Sequence, residues 1–66
     1  MFNKLYFKRV CCRLTQQELA QRAGVSRRTV VRLENGGNMP TLRVAVKLCR
    51  ALECSLEEVF PSHVYL

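Results

Sequence analysis

Eleven Lys and Arg side chains, four cysteines and one histidine are the groups in this 66-residue chain whose types could do chemistry. The cysteines are poorly spaced for a metal. Cys11 and Cys12 are adjacent, no C-x₂-C pair is present, and His63 stands alone. Cys49 and Cys54 read as small hydrophobes filling a core; a redox-sensing role is the alternative. Catalysis has as little to build on. There is no glycine-rich phosphate loop and no nucleophile–base–acid set, and Glu57–Glu58 read as a solvent-facing pair beside a helix cap. No enzyme, cofactor or metal site is expected. The cations remain, and their chemistry is the grip of anions.

Their placement is uneven. All eleven lie between Lys4 and Arg50, where Glu18 and Glu34 are the only acids, so residues 1–50 carry a net +9. Residues 51–66 hold Glu53, Glu57 and Glu58, a net −3. A cationic body favours polyanions, and nucleic acid is the commonest of these. The alternative on charge alone is a basic surface that serves only solubility.

The length suits one small domain, here residues 1–66. A domain this short buries only about 60% of the surface its unfolded chain exposes, which leaves little room for a substrate pocket beside the core. No run approaches the ~20 apolar residues of a spanning helix, and no secretory leader is visible. The expected location is the cytoplasm, where the thiols would be reduced.

The elements that must position the cations are helices. No segment alternates apolar and polar residues as a strand would, and apolar residues recur at helical spacing. A first helix is predicted over about Asn3–Cys12, with Leu5 and Arg9 on one side. Thr15 reads as an N-cap, with Glu18 closing a capping box. The second helix turns Leu19, Ala20 and Ala23 inward and ends at Gly24, where a left-handed backbone is needed. Val25 separates it from the next cap, Ser26. The third helix runs to about Asn35 with Val30 and Leu33 inward, followed by an Asn35–Gly36–Gly37–Asn38 loop. Pro40 and Thr41 open a fourth helix, with Leu42, Ala45, Val46, Leu48, Cys49 and Leu52 inward. Ser55, boxed by Glu58, caps a short fifth helix with Leu56, Val59 and Phe60 facing the core. The fold class is all-α, five short helices.

Helices two and three, joined by Gly24–Val25–Ser26, cannot lie antiparallel across so short a turn. A steep crossing leaves one helix free to project into a groove while the other braces it. Ala20 is small enough for the crossing, Gly24 suits the turn, and Val25, Val30 and Leu33 anchor the projecting helix.

The series Thr15-Gln16, Leu19-Ala20, Gly24-Val25-Ser26 and Leu33-Glu34-Asn35-Gly36, continued by Pro40-Thr41-Leu42 and Ser55-Leu-Glu-Glu-Val-Phe60, resembles the Cro/C1-type (XRE-like) helix-turn-helix regulators. The resemblance covers about residues 5–60 and implies a five-helix, lambda-repressor-like domain with its helix-turn-helix at about 16–35. It implies a small transcriptional regulator, read as a repressor, that reads double-stranded DNA through the major groove with its third helix. On that helix Arg27, Arg28, Thr29 and Arg32 face outward, and the arginines match the family's base-reading positions. Arginine grips guanine O6 and N7 with two parallel hydrogen bonds; the alternative is contact with phosphates only. Gln16, Ser26, Asn35, Asn38 and Arg43 stand where phosphates would be met. For Ser26 the alternative is a cap, for Asn35 a chain reversal, and for Gln16 and Arg43 a solvated side chain. Glu34 is implied to pair with Arg9, a structural ion pair fastening the first helix to the third.

The family pattern is departed from at Lys8, where an apolar residue is common, and at Arg13 and Glu53, where glycine commonly follows a helix. Either those two adopt a costly backbone or the turns shift. The implied partners are a palindromic operator and a second copy of the chain, since one module makes few base contacts. The fifth helix and the Phe60–Leu66 segment are the sequence's candidates for that dimer contact, and the implied source is bacterial or phage. A protein-interaction module on the same fold, such as a partner-binding antitoxin-like protein, is the competing reading.

Overall fold

A computed structural model describes residues 3–37 and 39–61. The helices are α1 (Leu5–Cys11), α2 (Gln16–Ala23), α3 (Arg27–Glu34), α4 (Leu42–Ala51) and α5 (Leu56–Val59). No strand occurs among the described residues. The all-α, five-helix expectation is met.

Side-chain caps fix four of the starts. Thr15 and Glu18 exchange bonds in a full capping box, as do Ser55 and Glu58. The Ser26 and Thr41 hydroxyls accept from the backbone N–H of Thr29 and Val44. The first helix begins two residues later than periodicity suggests, because Asn3 is used otherwise. Its Oδ1 accepts from the Leu5 N–H at 2.9 Å, and its Nδ2 donates to the Leu33 carbonyl at 2.9 Å. Asn3 thereby starts α1 and ties it to the end of α3.

One backbone motif ends four helices. A residue in the left-handed region is followed by an N–H that bonds back to the carbonyl five residues earlier. In α2 and α3 that residue is glycine, Gly24 (φ 73°) and Gly36 (φ 72°), with Val25 bonded to Ala20 at 3.0 Å and Gly37 to Arg32 at 2.9 Å. In α1 and α4 it is Arg13 (φ 59°) and Glu53 (φ 54°), with Leu14 bonded to Arg9 at 3.2 Å and Cys54 to Cys49 at 3.0 Å. The turns have not shifted; both side chains accept the unfavourable backbone.

The core is one cluster drawn from all five helices, with Leu5, Leu19, Val30, Leu48 and Val59 fully buried at its centre. Each such side chain contributes about 1.5–3 kcal/mol relative to exposure. The helix α2 packs most extensively on α3 and α4. Cys49 is buried in the cluster and Cys54 packs against it, as small hydrophobes would. Two residues expected inward are outside: Leu42 is 71% exposed and Leu56 37%. Both are the first residue of their helix, where the axis has not yet reached the core. Val46 is half-buried. Lys8, the apolar-position departure, lies at the core's rim and reaches Glu58 of α5, Nζ to Oε2 at 3.0 Å.

Candidate nucleic-acid interface

The site begins with the turn between α2 and α3. Gly24 at φ 73° redirects the chain, with nothing near where a Cβ would project, so only the backbone conformation asks for glycine there. The carbonyl of Ala20, a buried residue in the middle of α2, accepts both the Gly24 and the Val25 N–H. Ser26 then starts α3 at once, and its hydroxyl also bonds the Thr29 hydroxyl at 2.9 Å.

The buried stripe of α3 is Val30, Leu33 and Glu34. At 100° per residue its opposite side is the line Arg28, Arg32 and Asn35, spaced i, i+4, i+7, and all three are exposed. Arg27 and Thr29 fall on the two flanks of that line. Arg27 is exposed and Thr29 half-buried. Thr29 and Arg32 border a notch of about 140 Å³, completed by Leu33, Met39, Pro40 and Val44. Val31 also lies on the outward side, half-buried between the lines of Arg27 and Arg28. Apolar periodicity assigns it no place in the core stripe.

Glu34 shows how the arginine face is kept positive. It is 4% exposed, the only buried charged side chain among the described residues. Arg9 Nε donates to its Oε2 and Nη2 to its Oε1, the latter at 3.1 Å. Arg9 Nη1 donates to the Leu14 carbonyl at 2.7 Å, and its guanidinium lies 5.3 Å from the Tyr6 ring centroid. The hydrogen bond to Glu34 raises the Arg9 pKa above the ordinary arginine value. Gln16, first residue of α2, donates from Nε2 to the same Glu34 Oε1 at 3.1 Å. One carboxylate thus joins α1, the start of α2 and the end of α3, and none of its charge is turned to the outer face. Among the described residues no buried side-chain nitrogen or oxygen lacks a partner.

The other predicted contact positions separate. Ser26 and Gln16 lie at the N-termini of α3 and α2, where backbone N–H groups and the helix dipole favour an anion. Asn35 is exposed just past α3. Asn38 lies outside the described residues, as do His63 and the segment after Pro61. Arg43 is exposed in the first turn of α4, on one face with Lys47 and Arg50. Burial pushes the Cys49 thiol up to about 12, and burial likewise raises Cys54, so neither offers a ready thiolate. No group of three or more His, Cys, Asp or Glu able to hold a metal occurs among the described residues. No helix among them is long and apolar enough to cross a membrane.

A family model described as helix-turn-helix matches residues 9–59. The chain is 38% identical over 60 residues to an uncharacterized HTH-type transcriptional regulator of Methanocaldococcus jannaschii, covering 91% of each chain. It is 37% identical over 60 residues to another such regulator of Bacillus subtilis, again 91% of each. A third, of Methanothermobacter thermautotrophicus, is 46% identical over 48 residues, 71% of this chain and 70% of the relative. These relatives come from archaea as well as a bacterium, so similarity does not confine the family to bacteria and phages.

Proposed function

The chain belongs to the Cro/C1-type (XRE-like) helix-turn-helix family of DNA-binding transcriptional regulators, and we propose that it is a repressor that lays α3 in the major groove of a palindromic operator. The observation that carries this reading is the line Arg28–Arg32–Asn35 with Arg27 beside it, opposite the buried stripe of α3. Arg27, Arg28 and Arg32 read base edges, guanine above all, and Thr29 contacts a base from the flank. Gln16 and Ser26, at two helix N-termini, hold phosphates either side of the groove, with Asn35, Asn38 and Arg43 completing the backbone contacts. The pairing of Glu34 with Arg9 and Gln16 serves this arrangement: it sets the start of α2 against the end of α3, and so sets the phosphate grip against the reading helix. Two copies of the chain occupy the two half-sites, about one helical turn apart.

The test is selection of bound duplexes from a random-sequence library, followed by titration of the selected duplex at rising salt. The expected result is a G-containing half-site repeated with two-fold symmetry. Affinity should fall log-linearly with salt as counterions are released. A flat salt response, or no duplex retained at low salt, would favour a surface that binds protein instead.

A further inference from the structure

The helix α1 carries three large apolar side chains that the fold leaves uncovered: Tyr6 is 49% exposed, Phe7 59% and Val10 48%. Leu5 is buried in the core, and Arg9, one turn on, holds Glu34 of α3. At 100° per residue Phe7 stands opposite that side of α1, and Tyr6 and Val10 fall between the two. Cys11, exposed one turn on from Phe7, borders the strip. Single exposed apolar residues are ordinary, but two aromatic rings and a valine sharing one helix face are characteristic of an interaction surface. We propose that this face of α1 docks a segment of another protein, one with an apolar centre and acidic ends.

Charge chooses the occupant. Residues 1–17 contain no acid. Lys4 stands just before the strip and Arg13 just past it; both are exposed, and neither enters a salt bridge among the described residues. The other two cations of α1 are taken, Lys8 by Glu58 and Arg9 by Glu34. A second copy docked through the same strip would set Lys4 and Arg13 against their own counterparts, with no acid on the strip to answer them. A duplex answers the cations, but it offers phosphates rather than apolar surface to Phe7 and Val10. The chain's own residues 62–66 include apolar types but no Asp or Glu, so they match only the centre of the strip.

Rigidity favours a protein over an anionic lipid surface. The Tyr6 ring centroid lies 5.3 Å from the Arg9 guanidinium. That guanidinium is fixed in turn by two bonds to Glu34 and one to the Leu14 carbonyl. A ring held in this way loses little further freedom on binding, which benefits a partner of fixed shape. A fluid bilayer gains nothing from it. The strip is also clear of the reading helix. Arg9 reaches Glu34 on the buried side of α3, opposite the line Arg28–Arg32–Asn35, and Phe7 faces away from Arg9. A docked segment and a duplex can therefore be held at once.

The experiment selects binders to the full chain from a random-peptide library. The enriched peptides are then titrated by fluorescence anisotropy against wild type, Phe7→Gln/Val10→Gln and Lys4→Glu/Arg13→Glu. All four residues lie outside the core, so circular dichroism of both variants should match wild type. The enriched peptides should share an apolar centre flanked by Asp or Glu, and each pair of substitutions should weaken them tenfold or more. Phe7→Gln/Val10→Gln should bind the selected duplex as wild type does, and wild type saturated with duplex should still take the peptide. Peptides held equally by wild type and both variants overturn the proposal, because another face then binds them. Enrichment of basic or uncharged peptides, or no enrichment, overturns it as well. Loss of duplex affinity in Phe7→Gln/Val10→Gln overturns it in favour of nucleic acid. Phosphatidylglycerol vesicles that retain wild type but not that variant overturn it in favour of lipid. A chain that enriches such acidic peptides yet binds no duplex supports the proposal and removes the operator reading instead.

Discussion

Arg9 and Glu34 form a two-pronged ion pair across 25 positions of chain, with both carboxylate oxygens taken and the Glu34 side chain only 4% exposed. Buried pairs of this kind offset most of their own desolvation, so the net gain over an apolar pair is small, while the loss on breaking one is large. Glu34→Ala should therefore cost about 3–5 kcal/mol, a large part of the stability a domain this size has. Replacing both partners together, Arg9→Met with Glu34→Leu, should cost far less than the sum of the single changes. Thermal melting of the two single variants and the double variant checks this. An unchanged midpoint for Glu34→Gln would show that the pair fastens nothing.

Arg13 and Glu53 hold left-handed backbone, at φ 59° and 54°, that side chains with a Cβ adopt at a cost. The same motif uses glycine after α2 and α3. Arg13→Gly and Glu53→Gly should each raise stability by about 0.5–1 kcal/mol, the relief of strain exceeding the entropy glycine adds to the unfolded chain. At Gly37 the constraint is different. A Cβ there would lie 2.9 Å from the Arg32 carbonyl oxygen, the group that accepts the Gly37 N–H, so Gly37→Ala should destabilise. Denaturant midpoints of the three variants measured side by side test the two signs.

The features legible in the sequence are local ones. Thr15 with Glu18, Ser55 with Glu58, Ser26, Thr41 and Gly24 each act within five residues, and each is found in its expected role. The outward side of α3 follows from the same periodicity that buries Val30 and Leu33. The illegible features depend on where a helix ends relative to its neighbours. Leu42 shares a stripe with Ala45 and Cys49, yet it stands one turn beyond the point where α4 meets the core. Lys8 and Glu58 meet across 50 positions, and nothing in the spacing of either announces the other. The partnership of Glu34 with Arg9 is implied only by family resemblance, and that of Gln16 with Glu34 has no signal in the sequence at all.

Glu18 and Glu58 titrate below the ordinary 4.5 of a glutamate. For Glu18 the chief cause is the bond it accepts from the Thr15 backbone N–H. For Glu58 it is the bond from the Lys8 ammonium, followed by that from the Ser55 backbone N–H. A carboxylate with a depressed folded pKa gives stability that is fully present above the unfolded value and is lost as pH falls through the folded one. The melting midpoint should thus decline as pH drops below about 4.5. Glu18→Gln and Glu58→Gln should flatten that decline. The Glu18 change should cost little at neutral pH, because glutamine also closes a capping box. The Glu58 change also breaks the Lys8 bridge, whose exposed position makes it weak, and salt should remove what it contributes. Melts from about pH 7 to about pH 3 decide the matter; slopes unchanged by both substitutions would mean that the caps do not carry the acid response.

The arginines of α3 and the arginine of α4 should fail in different ways. Arg28 and Arg32 lie at the centre of the outward face, so Arg28→Ala should cost about 1–3 kcal/mol at the preferred base and relax specificity there. Arg28→Lys keeps the charge but loses the two-pronged donor, so it should preserve the salt slope while losing the discrimination. Arg43, at the start of α4 and off that face, should behave as a phosphate contact. Arg43→Ala should weaken binding to all sequences alike and reduce the salt slope by about 1. Titration of each variant against the selected duplex and its single-base changes, at two salt concentrations, separates these outcomes. If Arg28→Lys discriminated among bases as well as the wild type, Arg28 would be holding phosphate, and the reading of sequence would pass to Arg32 and Thr29.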